Sequence, residues 1–264
     1  FHDFITLRVT SGQAKRAHRR FRSGVYHANP FDGRHALAND FGGTLAQPTP
    51  RLKGQTVARV LSGELGLRLP EGFASAFDTA HRHAWQQDRA TGVHTPFPRV
   101  LAMAAGQCGV TVPVPAGTTD TVFSRVPDGQ VNDKVARALC RLHRSGLRCV
   151  LACDTQRPET VRRRTLHAAG ISAYFHALVL SSELGWRKPH PRFYAAVIEA
   201  AGVDPANIVF VGDTPAKDAS GPRAHGMEAV LIAPDGRPQD LDPRIGVIHR
   251  FAELPAYLEE HYVH

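Results

Sequence analysis

Four places in the sequence put polar side chains at or just beyond a short apolar run, where a strand would end and its loop begin. Asp40 follows HALAN, Thr155 follows VLACD, Lys188 lies in ELGWRKPHP, and Asp213 follows IVFVG with Asp218 five residues later. Open parallel sheets bind ligands beyond the carboxyl ends of their strands, so these are the positions to inspect for chemistry. The stretch HALANDFGGTLAQP, from His35 to Pro48, reads as a strand ending in an aspartate and a glycine turn, a place where a carboxylate can be presented to a phosphate. Chemistry of that kind calls for a second acid two residues on, and Gly42 stands there.

The elements that would hold these residues are legible as alternating patterns. From about Asp133 onward LRCVLACD, ALVLSS, NIVFVGD and EAVLIAP are short apolar or β-branched runs bounded by turn residues. Between them ETVRRRTLHAAG, HPRFYAAVIEAAG and GPRAHGM read as helical or partly helical. That alternation predicts βαβ units and a parallel sheet covered on both faces. Gly170, Gly202 and Gly226 fall where those helices should stop. From roughly Ala46 to Asp128 the pattern changes: Val57 with Leu61, and Phe73 with Phe77, recur at helical spacing. This segment is expected to be a helical insert, with TVPVPAGTTD and VPDGQ as the linker back to the sheet.

Composition bounds the class. The chain has 264 residues, 42% of them hydrophobic, enough for a core domain and an insert. No apolar run approaches the roughly 18 residues of a membrane span, and no secretory leader pattern is present, so the expectation is a cytoplasmic protein. Phe1 in place of Met implies that residues precede it. Cys108, Cys140, Cys149 and Cys153 lack paired zinc spacing and read as buried thiols, the last two on one strand face. His81 and His83 would leave different sides of a helix and read as surface residues. The formal charge of +8 is partly gathered in AKRAHRRFR, Ala14 to Arg22. Such an arm could contact nucleic acid, an acidic partner or an anionic substrate, but no aromatic platform accompanies it, and a solvated arm is the plainer reading.

Taken together, the motifs resemble the haloacid dehalogenase (HAD) superfamily, in its branch with a helical cap between the first and second motifs. The stretch LGWRKPHPRFYAAVIEAAGVDPANIVFVGDTPAKD carries the resemblance, because its Lys-Pro-His-Pro and Gly-Asp elements occur in order at the family's separation. The resemblance implies an α/β fold, a Rossmann-like core with a parallel sheet plus an inserted α-helical cap. The chain is expected to divide into a basic extension over 1–33, core segments at 34–46 and 128–249, the cap at 47–127 and a C-terminal helix at 250–264. The resemblance also implies that Asp40 attacks phosphorus and that Lys188 neutralises charge on the phosphoryl oxygens. A carboxylate is a weak nucleophile and needs such cationic help. By the same resemblance Asp213 and Asp218, with Asp40 and the Gly42 carbonyl, hold magnesium, while Thr155, at a helix start, and Gly43 bind the phosphoryl group. The plainer readings are Thr155 as a helix cap and Asp213 as the organiser of a Gly-Asp turn, and the company of the other motif residues favours the site.

Gly42 departs from the pattern. Phosphatases of the superfamily carry at this position an aspartate that protonates the leaving alcohol, and a missing general acid costs about 10² to 10⁴ in rate. The expected function is a HAD-type hydrolase of a small phosphorylated or related anionic metabolite with altered acid/base chemistry. The alternatives are a repurposed, non-hydrolytic or partner-dependent subunit of a biosynthetic enzyme that uses the pocket for binding or leaving-group elimination, and a nucleic-acid-binding protein acting through the basic arm.

Overall fold

The computed structural model describes residues 34–48 and 51–262, so the basic run from Ala14 to Arg22 lies outside the described residues. In chain order the elements are β1 (Ala36–Asn39), α1 (Gly54–Leu65), α2 (Phe73–Thr91), α3 (Phe97–Gln107), α4 (Thr118–Arg125) and α5 (Asp133–Arg144). They continue with β2 (Arg148–Cys153), α6 (Glu159–Ala168), β3 (Phe175–Leu180), α7 (Ser181–Leu184), α8 (Pro191–Ala201) and β4 (Ile208–Gly212). The last are α9 (Gly221–Arg223), β5 (Glu228–Ile232), β6 (Gly246–Ile248) and α10 (Leu254–Tyr262).

All strands pair in parallel, in the order β3-β2-β1-β4-β5-β6. Strand alternation sorts their side chains onto two apolar faces. Leu37, Cys149, Leu151, Cys153, Val209 and Val211 join α5 and α10 in one core. Ala36, Ala38, Val150, Ala152, Ile208 and Phe210 face α8 in the other. Burial on both faces explains why the strands read as continuous apolar runs. Because the chain lays β2 and β3 on one side of β1 and β4 to β6 on the other, the order reverses at β1. The crevice beyond the carboxyl ends of β1 and β4 is the ligand position for such a sheet.

Local signals account for the helices that frame the crevice. Asn132 caps α5, its Oδ1 accepting the Lys134 and Val135 N–H groups at 3.0 Å. His190 caps α8, whose first position is Pro191 and whose end is Gly202 in the left-handed region. The four helices α1 to α4 pack about their own core, centred on Val57, Leu61, Phe73, Phe77, Phe97, Val100 and Phe123.

One expectation needs correction, and two further features lay beyond the sequence pattern. Thr155 is not at a helix start: Pro158, extended at φ −61 and ψ 156, is the residue before α6. Within GPRAHGM only Gly221–Arg223 is α-helical, and a π-helical turn over Pro215–Ser220 precedes it. Pro215 and Pro222 lack the N–H that a regular ladder requires. The short strand β6 carries no alternating pattern long enough to read from sequence. Among the described residues no helix is long and apolar enough to cross a membrane.

Candidate active site

The strands deliver their terminal residues to one place. Asp40 leaves β1 with its N–H donating to Val211 O of β4 at 2.9 Å, which fixes the start of its loop beside the end of the neighbouring strand. Lys188 reaches the same point from the loop between α7 and α8. Its Nζ donates to Asp40 Oδ1 at 2.9 Å, to Asp218 Oδ1 at 2.7 Å and to Ala152 O at 3.1 Å. Asp218 is held in turn by the π-helical segment, its Oδ2 accepting the Thr214 N–H at 2.9 Å. Gly212 allows that approach, since a Cβ there would fall 2.3 Å from the Asp218 side chain.

Electrostatics follow from this packing. Burial pushes the Asp40 carboxyl up to about 7 against the pull of Lys188, and Asp218 and Asp213 add to the rise. Burial acts on Lys188 in the opposite sense, but Asp218, Asp40 and Asp154 outweigh it and hold the ammonium well above its ordinary range. Asp213 is raised by burial and by Asp218. Carboxylate oxygens of Asp40, Asp213 and Asp218 all lie within 4.8 Å of one another. Three hard oxygen donors whose mutual repulsion is only partly relieved by one ammonium form a set that suits magnesium.

Asp40, Gly42, Gly43, Thr155, Lys188, Asp213 and Asp218 all line one cavity of about 410 Å³. Gly43 adopts φ 77°, and a Cβ on it would sit 2.0 Å from Asp213 Oδ2. Its role is therefore to let the β1 loop pass against Asp213. At Gly42 the opposite holds: a Cβ there would meet nothing within 4 Å. Thr155 is fixed by Ser181, whose Oγ accepts the Thr155 N–H at 2.8 Å, while Thr155 Oγ1 accepts the Arg157 N–H at 3.0 Å.

Sequence reasoning missed a second layer of this cavity. Asp154 accepts the Lys188 main-chain N–H at 3.0 Å and the Lys217 ammonium at 2.8 Å, and Arg187 stands 3.7 Å away. Burial raises the Asp154 carboxyl, yet Lys188, Lys217 and Arg187 prevail and hold it below its ordinary value. Arg157 and Arg162, both buried, pair with Asp128 at 3.3 and 2.8 Å. Arg157 also donates to the carbonyls of Phe123, Val126 and Pro127, and so ties the β2 loop to α4. Arg187 and Asp88 pair at 3.4 Å, and the Arg187 N–H donates to Gly92 O at 2.8 Å, which ties the lysine loop to α2. The available signal was Arg next to each motif residue, in TQRP and WRKP.

With the geometry in hand, comparison with known proteins gives a consistent picture. A family model described as haloacid dehalogenase-like hydrolase matches residues 34–226. A phosphoserine phosphatase of Thermus thermophilus is 36% identical over 102 residues, 39% of this chain and 40% of that protein. A phosphoglycolate phosphatase of Shigella flexneri is 26% identical over 219 residues, 76% of this chain and 82% of its own. The first of these matches thus spans about two-fifths of the relative's length. In fold, the chain is similar to a 2-haloacid dehalogenase of Pseudomonas syringae, with a TM-score of 0.63 at 19% identity, covering 86% of this chain and 98% of that one.

Proposed function

The chain belongs to the haloacid dehalogenase-like hydrolases, and from that premise we propose that it transfers the phosphoryl group of a small phosphorylated metabolite to Asp40 and then to water. The observation that supports this most is the Lys188 ammonium held between Asp40 and Asp218 at 2.9 and 2.7 Å. It neutralises a buried carboxylate and keeps it in place as a nucleophile.

In this reading Asp40 Oδ attacks phosphorus, the bond to the leaving oxygen breaks, and an aspartyl phosphate forms. Water then attacks that phosphorus, releasing phosphate and regenerating the carboxylate. Thr155 Oγ1, the loop amide at Gly42 and the Lys188 ammonium hold the phosphoryl oxygens, while the Gly43 N–H is spent on Ala46 O at 2.8 Å. Asp40, Asp213, Asp218 and the Gly42 carbonyl would hold magnesium, which when bound supplies positive charge to those oxygens. Asp154 positions the site, gripping the main chain of Lys188 and the side chain of Lys217 together. Helices α1 to α4 act as the cap that closes the cavity over the substrate, and the pairs Arg187–Asp88 and Arg157 with the Phe123 carbonyl are its fastenings to the sheet.

A screen of phosphate esters, phosphonates, haloacids and sulfate esters, with and without magnesium, tests the assignment. Magnesium-dependent phosphate release that is lost in Asp40→Asn is the expected result. Turnover of haloacids alone, or phosphate release unaffected by Asp40→Asn, would reject it.

A further inference from the structure

The cavity poses a proton problem. Transfer from an alkyl phosphate expels an alkoxide, about as basic as hydroxide, which needs a proton as the P–O bond breaks. Among the described residues no His, Glu, Tyr or Cys lines the cavity, and its remaining acidic side chains are committed. Asp154 accepts hydrogen bonds from the Lys188 N–H and the Lys217 ammonium, one on each oxygen. Asp218 likewise accepts from Lys188 Nζ and the Thr214 N–H, one on each oxygen. Asp213 stands with Asp40 and Asp218 in the carboxylate cluster that would hold magnesium, a role that would keep its oxygens ionised. The Lys217 ammonium is bonded to Asp154.

Beside the nucleophile the chain offers space in place of an acid. Gly42 lines the cavity, and nothing lies within 4 Å of where its Cβ would be. What the cavity does offer a departing group is a set of fixed cationic side chains, each already held by a carboxylate. Arg157 and Arg162 face a single shared carboxylate, Asp128, among their described acidic partners, and Arg162 Nε is buried without a hydrogen-bond partner. Arg187 and Lys217 line the same space. Fixed cations stabilise an anion that leaves as an anion but give it no proton.

Resting on the phosphoryl transfer to Asp40 set out above, we propose that leaving groups depart from this site unprotonated, so that its substrates are activated phosphates: acyl, enol or aryl phosphates or phosphoanhydrides, and not alkyl esters. The step balances without an acid. Asp40 Oδ bonds to phosphorus, the leaving oxygen takes the electron pair of the broken P–O bond, and a carboxylate, enolate, phenolate or phosphate anion leaves. In the second step water adds to phosphorus, the Asp40 carboxylate leaves with its electron pair, and both protons of water stay on the dihydrogen phosphate released.

The test is kcat/KM across a leaving-group series: acetyl phosphate, phenyl phosphates of graded acidity and glycerol phosphate, at one pH with magnesium, for the parent and for Gly42→Asp. This ratio reads the first P–O cleavage and is blind to the common second step. In the parent, glycerol phosphate is expected at least about 10²-fold below nitrophenyl phosphate, with a steep fall across the phenyl series. Gly42→Asp, for which the cavity has room, is expected to raise glycerol phosphate more than nitrophenyl phosphate and so flatten the series. A parent that cleaves glycerol phosphate within tenfold of nitrophenyl phosphate overturns the inference and leaves phosphoryl transfer standing. A series that steepens in Lys217→Met also overturns it, by identifying that ammonium as the acid. Failure of the parent to cleave any phosphate, acetyl phosphate included, rejects phosphoryl transfer itself. Should Gly42→Asp fail to fold, the parent series alone decides.

Discussion

Gly43 and Asp213 are so close that the glycine cannot carry a side chain: a Cβ would lie 2.0 Å from Asp213 Oδ2, and the backbone there is left-handed at φ 77°. Gly43→Ala must therefore move the carboxylate or the loop, and adds left-handed strain of about 1 to 2 kcal/mol. The expected outcome is a modest loss of stability and weaker magnesium binding in calorimetry. Asp213→Asn, which removes charge without moving the chain, should weaken magnesium binding as well. Magnesium affinity equal to the parent's in both variants would show that the ion does not use Asp213.

Lys188 neutralises two buried carboxylates at once, so its removal leaves charge that the interior cannot solvate. Lys188→Met should destabilise the protein by about 3 to 5 kcal/mol at neutral pH. Part of that loss should be regained on acidification, because protonating Asp40, whose carboxyl burial already pushes up to about 7, relieves part of the uncompensated charge. Melting curves at neutral and mildly acidic pH decide it: a deficit that is the same at both would contradict an electrostatic origin.

Asp154 offers a pH test in a lower range. Its folded pKa is depressed below the ordinary 3.8, because Lys188, Lys217 and Arg187 outweigh burial. A depressed carboxyl contributes stability that is present above its unfolded value and is lost as pH falls through the folded one. Asp154→Asn should therefore cost about 1 to 3 kcal/mol at neutral pH, and the gap to the parent should close only below the ordinary carboxyl range. A gap that closes between pH values of roughly 6 and 8, where no ordinary Asp titrates, would assign the effect to another group.

The sheet was readable because its strands are buried on both faces, which turns VLAC, IVFV and EAVLI into unbroken apolar runs. The three-residue β6 has too little length to show a pattern, and the π-helical turn at Pro215 depends on Asp218 finding Lys188 and the Thr214 N–H. Asp40, Lys188 and Asp213 could be named from their places after strands. Asp154 also stands directly after a strand, β2, but its grouping with Lys217 and Arg187 depends on loops meeting in space, which no local signal shows. The pairing of Asp128 with Arg157 and Arg162 joins the end of the helical segment to α6 across about thirty residues, a register that no local signal carries.

A phosphoryl group accepted by Asp40 leaves a covalent aspartyl phosphate that can be trapped. Rapid acid quenching of the protein with radiolabelled acetyl phosphate and magnesium, followed by peptide mapping, reads this directly. Label confined to the peptide that carries Asp40, and absent from Asp40→Asn, is the predicted result. Phosphate release by the parent with no label at Asp40, together with undiminished turnover by Asp40→Asn, would contradict it.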